Sequence, residues 1–584
     1  MFSREALTAP RRVRFYATPC LFVAMLLGLA VTAWQVLARS QNITSPGDLA
    51  TLGAAALSIL APLQLTVCLL FSALFAAANV AQEKDRKTLL LLLLSDLSNT
   101  ELVLGKLLAS MLTVLVVIAA SVPFFLLLTL LGGVSNAQVF GAAAVTTVAS
   151  LAAGSLGSTI ALWREKTFQA LAVTALLIVL IVVGCEFIAA GGLGDTLFGW
   201  PAVAVADTLS PWRAMQHAVQ PAYDGAGGAG IAAPGFLAAG ALATLLLNAL
   251  AIARVRVWNP SREARPASPD SGSDELWETD QQQAAERRRK AHRAPGKVRT
   301  VWDNPILWRE VRPWAYGKKI LVVKLGYLAI FAACAAAAAA PSDSGGDAAS
   351  MPITALVPLL VLSVVLVNAL SVTSLTNERD LKALDLLLAT DLSPSELIYG
   401  KLGGAFYNAK EMILLPMALC GYLWQSGAIS GQQLVFLLLG LAVVFAFAAV
   451  LGLHAGMMYQ SSRQAIAASI GTLLFLFLGV STCMRMMLEL SESFEYQLWP
   501  FLGFTLGGGI ALFAALAWRN PSTAMALACF AAPFAVFYAI VSFLLGNFEW
   551  VFISTTLTFG FATAAMLVPA LSEFDVVTGR TTSG

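Results

Sequence analysis

Charge is what this sequence has least of. Lys, Arg, Asp and Glu make up 12% of its 584 residues, where a soluble domain carries about 25%. With 58% hydrophobic residues and a mean hydropathy of +0.76, lipid is the solvent for most of the chain. The net charge of +2 gives no basic excess, so nucleic acid is not an expected partner. Cysteines are scattered: Cys20, Cys68, Cys185, Cys334, Cys420, Cys483 and Cys529 lie in or beside apolar runs and form no CxxC pair, which argues against a disulfide framework or a zinc site. His217, His292 and His454 have no metal-ligand spacing. A G-x-x-x-x-G-K-[ST] phosphate loop is also missing. Gly105-Lys106 and Gly400-Lys401 lack the upstream glycine, so a nucleotide, and with it ATP and magnesium, would have to be bound by another polypeptide.

Long apolar runs are abundant. A helix crosses the hydrocarbon core with about 20 residues. On that rule, spans are expected near 18–37, 53–80, 107–131, 137–162, 168–190 and 231–253, and again near 320–340, 353–376, 402–425, 432–458, 464–484, 499–518, 523–545 and 549–571. The first run follows Arg4, Arg11, Arg12 and Arg14 and has no convincing small-residue cleavage site, so it reads as an uncleaved span. Arg11–Arg14, Lys84–Lys87, Arg164–Lys166 and Arg254–Arg256 occupy alternate connections, while Asn42–Asp48, Gly132–Gln138 and Pro341–Ser350 carry no Lys or Arg. The asymmetry places the basic connections and both termini in the cytoplasm. The one polar stretch of any size, 255–318, reads as a disordered linker whose basic run Arg287–Lys290 rests on anionic lipid, or as a docking segment for a partner.

Two basic connections are near copies. Glu83-Lys84-Asp85-Arg86-Lys87 leads through leucines to Asp96, then Ser98-Asn99-Thr100-Glu101 and Gly105-Lys106. Glu378-Arg379-Asp380-Leu381-Lys382 leads through Asp385 to Asp391, then Ser393-Pro394-Ser395-Glu396 and Gly400-Lys401. They align without a gap, each between the second and third span of its half, which points to two homologous halves fused in parallel. Arg4-Glu5 and Trp308-Arg309-Glu310 form a weaker echo ahead of each half. Glu83 with Lys87, and Glu378 with Lys382, have the i, i+4 order favourable on a helix. Leu381, Leu384 and Leu388 fall on one face, so a short amphipathic surface helix is expected. Ser98 with Glu101 and Ser393 with Glu396 are capping boxes that open a new helix running past Lys106 and Lys401 into the membrane. Well-packed surface structure with solvated charges would explain one copy; two copies favour a shared task.

These residues resemble the signature of ATP-binding cassette (ABC) type-2 permeases, the membrane subunits of many bacterial exporters. There the connection reads about Glu-Arg-Glu, a small residue, Thr-Leu-Glu, then a leucine pair, a proline and a helix ending in Gly-Lys. Asp85 and Asp380 replace the second acid, Asp96 and Asp391 stand for the proline, and the later glutamate is Asp385 in one copy but Leu90 in the other. The resemblance implies an all-α polytopic membrane protein with about fourteen transmembrane helices, in two parallel six-span permease-like halves plus two extra C-terminal spans. The divisions would fall at 1–258, 259–300 (linker), 301–520 and 521–584. It implies a permease in a bacterial inner membrane, binding no cofactor itself and served by separate ABC-type ATP-binding subunits, two per chain. ATPase-coupling segments would comprise Glu83, Asp85, Lys87, Glu101 and Lys106, and Glu378, Arg379, Asp380, Lys382, Asp385, Glu396 and Lys401. Phe2–Tyr16 and Asn304–Lys319 would be elbow helices; Asp195–Gln220 and Glu489–Pro500 would be re-entrant segments on the outer side.

Charge within a span marks a functional candidate. Lys410-Glu411 lies roughly 13 Å beyond Lys401 at about 1.5 Å per residue, as an internal ion pair, as a bond to a neighbouring helix, or as part of a substrate path. Glu186, Lys324 and Arg485 sit near span ends, where long side chains snorkel, and His454 reads as a packed, hydrogen-bonded residue. Two other functions stay open at this stage. A secondary transporter of the major facilitator class also has parallel halves, though its Gly-x-x-x-Asp-Arg connection is missing here. A non-transporting membrane scaffold is the other.

Overall fold

The computed structural model describes residues 11, 13–40, 46–164, 166–192, 194, 196–197, 199–220, 232–259, 302–311, 320–339, 356–384, 387, 389–390, 392–490, 494–518, 521–572 and 574. The linker 260–300, the start of the first elbow, 312–319 of the second, Asp385 and Asp391 lie outside the described residues.

The protein is a bundle of helices. Among the described residues, twelve are long and apolar enough to cross a membrane, against about fourteen expected. The two remaining runs are the 402–425 segment, which is broken at Ala409, and a shorter apolar helix, Phe501–Leu516, within Phe494–Leu516.

In chain order the first half contains α1 (Val13–Ser40), α2 (Pro46–Asp85), α3 (Thr88–Leu94), α4 (Asn99–Thr129), α5 (Asn136–Trp163) and α6 (Thr167–Ala189). A two-residue ribbon pairs β1 (Thr196–Leu197) with β2 (Trp200–Pro201) antiparallel. It leads into the short helices α7 (Ala202–Leu209) and α8 (Pro211–Val219), then α9 (Ala232–Trp258). Next come α10 (Pro305–Val311), α11 (Ile320–Ala339), α12 (Leu356–Asp380), α13 (Pro394–Asn408), α14 (Lys410–Gln425), α15 (Gly431–Met458) and α16 (Ser462–Leu474). A π-helical turn, Phe475–Gly479, joins α16 to α17 (Val480–Leu490), and α18 (Phe494–Leu516), α19 (Thr523–Leu544) and α20 (Phe548–Ser572) complete the chain.

The internal repeat reaches well past the motif that revealed it. Capping boxes open α5 at Ser135 with Gln138, and α15 at Ser430 with Gln433, just as Ser98 and Ser393 open α4 and α13. Gly132 and Gly427 stand at matching points before those caps with φ of 86° and 79°, a left-handed conformation that glycine adopts without steric cost. In each half the fourth span packs along the second, α5 on α2 and α15 on α12. Equivalent glycines allow a close approach. A Cβ on Gly157 would meet the Ala73 carbonyl oxygen, and one on Gly452 would lie 2.7 Å from the Asn368 carbonyl oxygen. Backbone cannot step aside as a side-chain tip can. Gly157→Ala and Gly452→Ala are therefore expected to destabilise the fold by about 1–3 kcal/mol each, read as a lower thermal midpoint of the purified chain.

After the fifth span the halves differ. The first half places the ribbon with α7 and α8 between α6 and α9, where sequence reading expects a re-entrant segment; the second places α18 and α19 there. The last helix, α20, packs along α15 as α9 packs along α5. The halves meet where α6 lies against α11 and α12, and where α1 and α2 lie against α16, α17 and α18.

Candidate functional site

Both repeat segments form a corner at one end of the bundle. The end of α2 turns where Arg86 N–H reaches the Gln82 carbonyl at 3.0 Å and Lys87 N–H reaches the Lys84 carbonyl at 3.0 Å. The end of α12 turns likewise, with Leu381 N–H on Asn377 O and Lys382 N–H on Arg379 O. Lys87 and Lys382 have φ of 58° and 55°, and no other described non-glycine residue has a positive φ. An L-residue pays for that conformation, so its presence at matching positions marks the turn as a feature of the repeat. It also corrects the helical pairing of Glu83 with Lys87 and Glu378 with Lys382. Both lysines lie beyond the end of the helix, exposed, and the surface helix α3 begins only at Thr88.

Three consecutive residues at each corner instead brace three successive helices. Glu83 forms an ion pair with Lys106 of α4, and Glu378 pairs with Lys401 of α13 at 3.0 Å. Lys84 donates to the carbonyls of Leu162 and, at 2.9 Å, Arg164, at the C-terminus of α5. Arg379 donates to the equivalent Met457 and Tyr459 at the end of α15. A helix leaves its last carbonyls without intrahelical donors, and a cation there also complements the dipole. Asp85 accepts from the hydroxyl of Thr167, and Asp380 from that of Ser462, the first residues of α6 and α16. Glu–cation–Asp thus ties the second span to the third, fourth and fifth in both halves. Glu101 and Glu396 serve as capping-box acceptors on Ser98 and Ser393. The Ser393 N–H and hydroxyl hold Glu396 below the ordinary glutamate pKa. A depressed carboxylate contributes stability above its unfolded pKa and loses it as pH falls through the folded value.

An ion pair crosses between the halves at this end. The Arg86 guanidinium donates through Nε and Nη2 to Asp380 Oδ1 at 3.1 and 2.9 Å, and Gln82 adds a bond at 3.3 Å. The Asp380 side chain is 2% exposed. Leu381 is the counterpart of Arg86, so the bridge has no mirror image.

The second corner is the more heavily built. Lys401, 1% exposed, also reaches Glu310 of α10 at 2.6 Å and the Ser374 carbonyl at 3.0 Å, while Arg309 pairs with Glu378. The Trp308-Arg309-Glu310 echo is therefore part of the corner. Gly400 and Gly403 let α10 approach α13: a Cβ on either would lie 2.7 Å from Ile306 or 2.8 Å from Leu307.

The intramembrane pair is rearranged. Asn408 donates to the Glu310 carbonyl at 3.0 Å and to the Gly404 carbonyl at 2.8 Å. Its side chain competes with the backbone there, and the helix breaks at Ala409. Lys410 is left exposed with its ammonium 4.3 Å from the Tyr407 ring centroid, and Glu411 pairs with Lys324 of α11 at 2.7 Å. Lys410 and Glu411 are therefore not partners, and Glu411 bonds a neighbouring helix instead. Glu186 likewise pairs with Arg213 of α8 at 2.8 Å. His454 is buried with Nε2 2.9 Å from the Leu516 carbonyl, as a packed histidine should be.

Partway along α2, in its N-terminal half, a cavity of about 170 Å³ opens between the halves, lined by Ser58, Pro62, Trp212, Gln216, Val219, Gln220 and Arg485. Sequence reading missed it, because its residues come from α2, α8 and α17 and share no spacing.

Residues 35–197 match the family model described as ABC-2 family transporter protein. The match runs from the end of α1 to β1 and contains the first corner. No curated protein matches the sequence.

Proposed function

We propose that this chain, a multi-pass helical membrane protein whose residues 35–197 carry the ABC-2 permease family, is the membrane-spanning subunit of an exporter and takes its ATPase from separate subunits, one beneath each corner. The observation that carries the reading is the duplicated brace. A push on either corner is passed at once to the second, third, fourth and fifth spans of that half through Glu83, Lys84 and Asp85, or Glu378, Arg379 and Asp380. Ordinary membrane anchoring does not call for such a linkage, and here it occurs twice.

The coupling segments keep their place in this reading, with their roles divided. Glu83, Asp85, Lys106, Glu378, Arg379, Asp380 and Lys401 transmit movement, because their charges are engaged inside the chain. The docking surface is what remains outward: Lys87, Leu91, Leu94 and Asp96 at the first corner, and Leu381 and Lys382 at the second. Leu91 and Leu94 are 67% and 63% exposed. Solute would pass between the halves, with both corners and both termini cytoplasmic as the Lys/Arg asymmetry implies.

Affinity purification of the full chain from its native membranes tests the proposal. An ABC-type ATPase should co-purify in two copies, and ATP hydrolysis should belong to the complex and be lost on stripping the ATPase away. Purification without any nucleotide-binding subunit, together with solute uptake driven by a proton gradient in the isolated chain, would replace this reading by a secondary transporter.

A further inference from the structure

We infer that the cavity between α2, α8 and α17 is a binding site for an anionic oxygen group, a phosphate or carboxylate, carried by the molecule this protein moves. This deepens the proposed function by naming a substrate class, and rests on it only for the direction of travel.

The site is built from backbone features as much as side chains. Pro62 lies inside α2 and has no N–H, so the carbonyl four residues back, that of Ser58, loses its helical donor. Ser58 and Pro62 both line the cavity; the freed carbonyl is an acceptor, so it takes a donor from solvent or the ligand's neutral part, and the hold on an anion falls to the donors opposite. Across from them, α8 contributes Trp212 from its first turn, Gln216 from its middle and Gln220 just beyond its end. This helix is held in place by Arg213, which grips Glu186 of α6 at 2.8 Å and Asp207 of α7 at 3.1 Å. Arg213 is thereby consumed by structure and leaves Arg485 as the cation of the cavity.

Arg485 arrives from the other half of the protein. The helical run from Ser462 is interrupted by the π turn Phe475–Gly479, one turn and a half before Arg485. A π turn inserts a residue and re-aims every side chain beyond it, and such turns recur at functional sites. No carboxylate pairs with Arg485 among the described residues, in contrast to Arg86, Arg213 and Arg309. An ionisable side chain on a spanning helix that faces a cavity without a counter-ion is the pattern of a ligand site. A guanidinium matches the forked oxygens of carboxylate or phosphate. The indole of Trp212 offers an apolar face beside it, and the Gln216 and Gln220 amides supply donors and acceptors. The position suits a path: on α2 it lies about 35–40 Å from the Asp85 corner at about 1.5 Å per residue, where α2 meets α17 of the other half.

The full chain, purified into phosphatidylcholine nanodiscs, can be titrated with dihexanoyl phosphatidic acid, with dihexanoyl phosphatidylcholine and with inorganic phosphate, following heat of binding and thermal midpoint. The phosphatidic acid should bind and stabilise the chain, and the choline lipid should bind at least tenfold more weakly. Arg485→Gln should weaken the phosphatidic acid at least tenfold, Arg485→Lys less, with the unliganded midpoint unchanged because Arg485 is exposed. Competition by inorganic phosphate in the same range would mean that the site takes free anions; binding of the amphiphile alone would mean a headgroup. Equal binding of the two lipids, or equal binding to wild type and Arg485→Gln, would overturn the site. Because no ATPase is present, failure to find an ATPase partner would sink the proposed function and leave this result standing.

Discussion

Lys401→Met should be the most damaging single neutralisation in the chain, costing about 3–5 kcal/mol, as breaking a buried ion pair from one side does. Lys401 is 1% exposed and lies against Glu310 at 2.6 Å and Glu378 at 3.0 Å, side chains that are themselves 5% and 15% exposed. Methionine fills similar volume, so the loss is electrostatic. Two carboxylates would remain in a nearly dry pocket with Arg309, 39% exposed, as their only nearby cation among the described residues. Lys106→Met removes the equivalent lysine from a site where both partners are near 20% exposed and where α10 has no described counterpart, so water can replace more of what is lost. Its cost should be visibly smaller. Thermal unfolding in detergent, with both variants scored beside wild type, decides the order. Equal losses would mean that the two corners are electrostatically alike, contrary to their burial.

Those two lysines also show how far sequence alone reaches. Gly-Lys was legible as a repeated motif, and the start of its helix was legible because a capping box is a local interaction between residues three apart. The ion pair to Glu83 or Glu378 was not. It joins residues on two different spans, while the spacing of Glu83 to Lys87 offers a plausible local partner that the left-handed turn removes. Nothing in lysine's propensity announces a positive φ, so the turn is decided by tertiary packing. The hydroxyls of Thr167 and Ser462 were beyond reach for the same reason: each matters only because α6 or α16 starts beside an aspartate more than 80 residues away in sequence. Other signals were present and unread. Ser135 with Gln138 and Ser430 with Gln433 are capping boxes in plain view, and Gly400, Gly403 and Gly404 advertise a close approach to α13. The continuity of the 402–425 run was not legible: the helix breaks at Ala409, where Asn408 bonds to another helix, and neither proline nor glycine stands at the break itself.

The same geometry changes what a charge reversal at the motif should do. From the sequence, Glu378→Arg is expected to spare folding and weaken the grip on the ATPase. In the folded chain the new guanidinium would enter a site already holding Lys401 and Arg309, losing an ion pair and adding like-charge repulsion. The cost should exceed the roughly 3–5 kcal/mol of a broken buried pair, a large share of the about 5–15 kcal/mol that holds a typical fold together. Glu378→Arg should therefore fail to accumulate in the membrane, and any loss of export would follow from that. The ATPase contact must be probed on outward residues instead. Leu91→Asp combined with Leu94→Asp touches side chains that are 67% and 63% exposed, so the isolated chain should keep its stability within about 0.5 kcal/mol per substitution. Burying a leucine at an interface is worth about 1.5–3 kcal/mol, and an aspartate in its place adds a desolvation penalty. Association with the ATPase should weaken by at least about a hundredfold, measured by titrating purified ATPase onto nanodisc-held permease. If Glu378→Arg folds normally and loses only the ATPase, its carboxylate faces outward in the assembled complex and the brace is wrong. If the double aspartate variant folds and still binds the ATPase as wild type does, the first corner is not a docking surface.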